Sequence, residues 1–289
     1  MYGYWGKKLE VDLTKGLANV ERIGEPIFKK YLGGVGIAAK VILDEVGPNV
    51  DPLGPDNVLV FAVGPFQGTT IPGSGKWIVA SRSPLTGIWA DSCAGGNWGP
   101  EFKRTGFDAM VIRGRAKSPV YLWICDGEAE MRDASEVWGK MTSKTDREIR
   151  TNLGEPKAKV VCIGPAGERL VKFANIVNEH GFAGRCGLGA VMGSKNLKAI
   201  VVRGTMAVEV ANPDKLIRYS KDLTRKIHDA TVSFRKYGTT ASAKSLHDNR
   251  GYGLTKNWRE GTFDKIDEID GDHFLDITVG PVACPPCPI

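Results

Sequence analysis

The sequence predicts an α+β protein: a duplicated β-sheet domain of pseudo-two-fold symmetry with short helices, followed by the start of an α-helical domain. Three observations lead there. Short apolar or β-branched runs bounded by glycine or proline fill the first two hundred residues. Two glycine-rich segments about ninety residues apart match each other in content and order. After Gly204 the glycines thin out and charged residues increase. Length and composition agree, since 289 residues with 42% apolar and 25% charged content suffice for one large domain or two ordinary ones around a true core.

The elements follow in order. Residues 8–13 and 58–63 read as strands, and apolar residues at helical spacing place a helix between them at 36–46. Strands are expected at 77–81, 109–113 and 120–125. A surface helix over 142–153 opens with Thr142 three residues before Thr145 and stops before Gly154, as a capped helix does. Strands at 158–163 and 199–203 complete the first domain. We place a boundary near residue 208, giving domains 1–208 and 209–289. Asn212-Pro213-Asp214 is a helix start for a segment running to His228, and a second polar helical stretch lies near 239–249. From 251 to 280 the chain reads as an extended, loop-rich connection.

Composition also limits partners. A net charge of +6 favours anions, but the basic residues are scattered, so nucleic acid is not indicated. No run approaches the roughly 18 apolar residues of a membrane span, and the start lacks a charged region followed by an apolar one. The expectation is a cytoplasmic protein without a membrane partner. Of six cysteines, Cys125 and Cys162 sit in strand-like runs and read as buried small hydrophobes, whereas Cys93 and Cys186 lie in glycine-rich loops. Cys284 and Cys287 form a Cys-x-x-Cys pair. Two thiolates alone fall short of the roughly four ligands that structural zinc or a common iron–sulfur cluster needs, so the pair reads as part of a larger site. His180, His228, His247 and His273 show no ligand spacing.

The repeated segments carry the strongest functional signal. Ala94-Gly95-Gly96 leads through Gly99 and Gly106 to a run from Asp108 to Gly114, and Ala183-Gly184-Arg185 leads through Gly187, Gly189 and Gly193 to a run from Lys198 to Gly204. Each copy reads as a loop, a short helix, a glycine turn and a strand ending Arg-Gly, with a Gly-Pro turn upstream at Gly64-Pro65 and Gly164-Pro165. Such loops expose backbone N–H groups that hold phosphate, and a symmetric pair suits a ligand that is itself doubled. The nucleotide fingerprints Gly-x-Gly-x-x-Gly after a first strand and Gly-x-x-x-x-Gly-Lys-Ser/Thr are absent.

With these residues in view, the chain resembles the N-terminal part of the tungsten-containing aldehyde ferredoxin oxidoreductase family. The resemblance runs through Met1-Tyr-Gly-Tyr-Trp-Gly6, Tyr31-Leu-Gly-Gly-Val-Gly-Ile37, Ser83-Pro-Leu-Thr-Gly87, Ile163-Gly-Pro-Ala-Gly167 and Gly189-Ala-Val-Met-Gly-Ser-Lys-Asn-Leu-Lys-Ala199. It implies a tungsten (or molybdenum) bis-pterin cofactor with a bridging Mg ion. It also implies that Cys93, Ala94 and Gly95 and, on the second loop, Gly181, Phe182, Ala183, Gly184 and Arg185 face the pterin phosphates. Lys76 matches a basic residue between pterin and cluster. Lysine stands there for the arginine of well-known members, Cys93 for a frequent asparagine, and Gly181-Phe182 for a more basic pair. The resemblance makes Cys284 and Cys287 the first metal ligands of a 4Fe-4S cluster, with a third cysteine expected two residues beyond Ile289 and a fourth from much later. It implies oxidation of a small aldehyde to a carboxylic acid, with ferredoxin or another iron–sulfur electron carrier as partner and a homodimer as an option. A tungsten subunit related to aromatic acyl-CoA reductase, or an isolated cofactor-binding domain without activity, are the alternatives. No catalytic acid or base is nominated; Asp91 and Glu101 near the first loop read as surface or helix-start residues.

Overall fold

The computed structural model describes all residues except His180, Pro281, Cys284 and Pro285. It divides into a first unit, Met1–Leu216 together with Pro286, and a second, Ile217–Ala283 together with Cys287–Ile289.

The first unit contains the duplication. In order it runs β1 (Lys7–Asp12), β2 (Leu17–Arg22), α1 (Glu25–Tyr31), α2 (Val35–Glu45), β3 (Leu59–Ala62), β4 (Trp77–Arg82), β5 (Trp89–Ala94), α3 (Trp98–Arg104) and β6 (Ala109–Arg113). The second copy is β7 (Val120–Cys125), β8 (Glu128–Asp133), α4 (Thr142–Leu153), β9 (Lys159–Cys162), α5 (Pro165–Glu168), β10 (Ile176–Asn178), β11 (Gly181–Ala183), α6 (Leu188–Ser194) and β12 (Leu197–Arg203). One sheet has the order β2-β1-β6-β3-β4-β5 and the other β8-β7-β12-β9-β10-β11. Both are antiparallel throughout except for a single parallel pair, β1 with β6 and β7 with β12. The two sheets therefore have one topology used twice.

Their inner faces share one core. Leu59, Phe61, Met110 and Ile112 from one sheet and Val161, Ile163, Ile200 and Val202 from the other belong to it. The alternate residues face outward and are also apolar: Val60, Ala80 and Val111 meet Ala38, Val41 and Ile42 of α2, while Val160, Cys162 and Val201 meet Ile149 of α4. A strand covered on both faces reads as a continuous apolar run, which is why β3, β6, β9 and β12 stand out in the sequence.

The last helix of each copy reaches into the other copy's sheet. On α3, Trp98 Nε1 donates to the carbonyl of Ile200 in β12 at 3.2 Å. Trp98 also packs on Trp77 and Phe102 with ring centroids 5.0 and 5.1 Å apart, contacts of about 0.5–1.5 kcal/mol each beyond area burial. At the end of α6, the buried Lys195 ammonium donates to the carbonyls of Asn57, Pro55 (3.4 Å) and Gly114 (3.1 Å), all in the first copy.

Ion pairs are duplicated as well, with one inversion. Arg113 at the end of β6 pairs with Glu10 and Glu45, and Arg203 at the end of β12 pairs with Glu101 and, at 3.8 Å, Glu155. Five residues before each of those arginines, Asp108 pairs with Lys103, whereas Lys198 pairs with Glu168, both pairs buried. Burial lowers the Lys103 ammonium from its ordinary value despite Asp108.

Several expectations need correction. β2, β5, β8, β10 and β11, and helices α1 and α5, were not expected. Cys93 and Ala94 belong to β5, and Gly181, Phe182 and Ala183 form β11, so these residues are strand and not loop. Thr142 does not cap α4: the cap position is Met141, without a side-chain bond. Gly154 does end that helix, in the left-handed region at φ 66°. Cys162 is buried, and burial pushes its thiol up to about 12. Cys125 is only half-buried because the strand beyond it, β8, is an edge. Glu101 is buried against Arg203 and the Gly204 N–H, not a surface residue.

The second unit holds most of α7 (Pro213–Ala230), with α8 (Val232–Tyr237), α9 (Ala243–Arg250) and α10 (Gly271–Leu275). Asn212 caps α7 by accepting from Lys215 N at 2.9 Å, as expected, although the helix runs past His228. α8 and α10 were not expected; Asp270 caps α10 and Tyr237 OH donates to Asp272 at 2.8 Å. His247 Nε2 accepts the Phe263 N–H at 2.9 Å, a structural role. Among the described residues no helix is long and apolar enough to cross a membrane.

Candidate functional site

β5 and β11 are each one edge of their sheets, and they lie against each other. Each runs directly into one of the glycine-rich loops, so the topology brings the two loops together. Three bonds tie them. Asn178 Nδ2 donates to the Gly95 carbonyl at 3.0 Å, Arg185 N donates to Ser92 Oγ at 3.2 Å, and Ser83 Oγ donates to the Cys186 carbonyl at 3.0 Å. A fourth link is Asn97, whose side chain and backbone N–H both donate to the Glu179 carboxylate. Burial opposes that carboxylate's charge, but Asn97 and Lys159 outweigh it and hold Glu179 below its ordinary value.

The approach is close enough to need glycine. A Cβ on Gly181 would stand 2.9 Å from the Gly95 carbonyl and 2.8 Å from Asn178 Oδ1. Gly96, at φ +102°, would put a Cβ 2.5 Å from Asn178 Nδ2. Asn178 is 1% exposed, and its Oδ1 is buried without a hydrogen-bond partner. A buried acceptor left unmatched costs about 1–3 kcal/mol, so this oxygen calls for a donor or a hard cation.

Of the residues expected at the site, Cys93, Ala94, Gly95, Gly181, Phe182, Ala183, Gly184 and Arg185 lie on these two adjoining strands and loops. Cys93, Phe182, Gly184 and Arg185 are exposed, and Ala94 and Ala183 are buried. Lys76 is exposed at the start of β4, the partner of β5. It lines a concavity of about 230 Å³ with Gly33, Gly34, Gly64, Gln67 and Gly73. Gly73 N donates at 3.0 Å to the carbonyl of Pro286, which stands between the two cysteines of the terminal pair. Cys284 lies outside the described residues, and Cys287 is half-buried. Among the described residues no group of three or more His, Cys, Asp or Glu side chains forms a metal cluster.

Sequence reasoning missed Asn178, Ser92 and Ser83, which fasten the loops. The glycine contacts, the orphaned Asn178 oxygen and the exposed cations Lys76 and Arg185 suit a doubled phosphate ligand bridged by a hard cation. Asp91, also exposed, accepts from Trp89 Nε1 at 3.1 Å on its own strand.

Comparison with known proteins identifies the family. A family model described as aldehyde ferredoxin oxidoreductase, N-terminal domain, matches residues 8–204, and one described as aldehyde ferredoxin oxidoreductase, domains 2 & 3, matches residues 218–289. The chain is 42% identical, over its whole length and 48% of the relative's, to the tungsten-containing aldehyde ferredoxin oxidoreductase of Pyrococcus furiosus. It is 36% identical, over 95% of its length and 46% of the relative's, to the aliphatic sulfonate oxidoreductase WOR-like subunit of the same organism. Among solved structures, the active site complex BamBC of benzoyl coenzyme A reductase, in complex with 1,5-dienoyl-CoA, superposes with a TM-score of 0.86 at 34% identity, covering all of this chain and 46% of that one. The chain spans about half the length of the curated relatives it matches.

Proposed function

The chain belongs to the aldehyde ferredoxin oxidoreductase family, and from that premise we propose that it is the cofactor-holding part of a tungsten-dependent oxidoreductase that converts an aldehyde and water to a carboxylic acid, two protons and two electrons. The observation that carries this reading is the junction of β5 and β11, where two topologically equivalent glycine loops are fastened by Asn178 and Gly95.

When bound, the metal bis-pterin supplies the two-electron redox chemistry. The chain's own residues hold and orient it. The Gly95–Gly96 and Gly184–Gly187 loops would hold the phosphates of such a cofactor through backbone groups, and Asn178 Oδ1 would be a side-chain oxygen for a hard cation there. Arg185 would neutralise phosphate charge, and Lys76 would stand between pterin and cluster as a point charge without the fork of an arginine. Cys284 and Cys287 would be the first two ligands of an iron–sulfur cluster, whose chemistry is one-electron transfer.

Anaerobic purification followed by metal analysis tests the reading. Tungsten or molybdenum together with iron and two pterins per chain supports it, and a pterin-free protein retaining its fold overturns it. The BamBC superposition favours a second reading, reduction of an aromatic acyl-CoA thioester. Turnover of aldehydes, aryl-CoA thioesters and alkyl sulfonates by the holoenzyme separates the chemistries.

A further inference from the structure

At the other end of β5 from the glycine loop, α2 and the β4–β5 hairpin enclose a groove of about 490 Å³, within the range of about 300–1,000 Å³ typical of small-ligand pockets. Its walls are apolar: Ile42, Leu43 and Val46 on the helix and Ile88 and Trp89 on the hairpin. Leu43 is 82% exposed and Ile88 67% exposed, which is unusual for residues that face one another across a cleft. No acidic residue lines it, and its one charged residue is Arg82.

Arg82 is held in place but not satisfied. Its backbone N–H donates to Asn57 Oδ1 at 3.3 Å and its carbonyl accepts from Asn57 Nδ2 at 3.2 Å. Its Nη1 donates to the Gly47 carbonyl at 2.8 Å, at the C-terminal end of α2. Its Nε is buried and has no hydrogen-bond partner. Trp89 stands directly opposite Arg82 in the β4–β5 ladder, so a positioned guanidinium and an aromatic ring share one end of an apolar cleft. Guanidinium recognises carboxylate through paired N–H donors, and the apolar walls select the body behind it.

We propose that this groove binds an amphipathic monocarboxylate, its carboxylate on the Arg82 guanidinium and its hydrocarbon body along Leu43, Ile88 and Trp89. The charge complementarity selects this occupant over a purely apolar one. The site shares no residue with the glycine loops and needs no metal, so its test is independent of the cofactor reading.

Isothermal titration of the purified chain with octanoate and with octanol tests it, with Arg82→Met and Leu43→Glu as variants. Leu43 is exposed, so L43E folds even if R82M does not. We expect saturable octanoate binding that weakens at least about tenfold in R82M and in L43E, and octanol binding weaker by a similar factor, as loss of a charge-assisted pair implies. Arg82→Lys should bind with intermediate strength. Equal binding of octanol, unchanged binding in L43E, or no saturable binding of either compound would overturn the proposal. So would concentration-dependent self-association that L43E abolishes, which would make a second copy of the chain the occupant.

Discussion

Asn178 Nδ2 donates to the carbonyl of Gly95 at 3.0 Å, joining the last residue of β10 in one sheet to the loop that leaves the edge strand of the other. The same side chain keeps its oxygen buried and unmatched. Replacing Asn178 by Ala removes that bond and the unmatched oxygen together, so the net cost in urea denaturation should stay below about 1.5 kcal/mol. Tungsten and pterin content should fall severalfold in the same variant, measured per chain after anaerobic purification. A variant with full cofactor content would remove Asn178 from the site.

The neighbouring glycines give a sharper contrast. Gly96→Ala combines a positive φ with a clash against Asn178 and should destabilise by about 1–3 kcal/mol. Gly64→Ala meets nothing within 4 Å and has no positive φ, so it should stay within about 0.5 kcal/mol of the parent. Thermal melts of the two variants side by side check the difference.

Lys195 links the copies through three backbone carbonyls. Lys195→Met removes a shared donor from three carbonyls, of which Pro55 keeps the Gly114 N–H at 3.2 Å, and should cost roughly 1–3 kcal/mol. The pH dependence has a defined sign. Burial, reinforced by Arg115, lowers the folded-state ammonium to about 8 from an ordinary 10.5. Between those values the unfolded chain holds a proton that the native state has released. The contribution of this residue to stability therefore rises with pH across that window, by of order 1 kcal/mol per pH unit. Denaturation at stepped pH should show this contribution in the parent and its absence in K195M.

Thiol reactivity should follow exposure. Cys93 is exposed on β5, whereas burial holds the Cys162 thiol near 12. Iodoacetamide followed by peptide mass spectrometry should label Cys93 first and Cys162 last. Bound cofactor should slow the labelling of Cys93 and leave Cys162 unchanged.

What the sequence made legible depends on how each strand is covered. β3, β6, β9 and β12 are buried on both faces and announce themselves as apolar runs. β2 is exposed along its whole length, so Leu17–Arg22 carries no alternation to read. β5 does alternate, with Ala90, Ser92 and Ala94 inward, but these residues are too small and polar to register as a hydrophobic pattern. The glycine loops could be found because spacing repeats locally. Asn178 could not, since its meaning lies in Gly95, more than eighty residues away and in the other sheet.

The exchange of helices between the two copies bears on ancestry. A single-copy chain with this architecture would place its last helix against the sheet of an identical neighbour, so the duplicated domain has the form of a fused pair of subunits. Two identical subunits must carry the same residue at equivalent places. Asp108 and Lys198 occupy equivalent places and carry opposite charges, each buried with its own partner. Such a difference needs halves that are no longer identical, and the same freedom lets the two loops diverge into non-identical grips on the two ends of a single ligand.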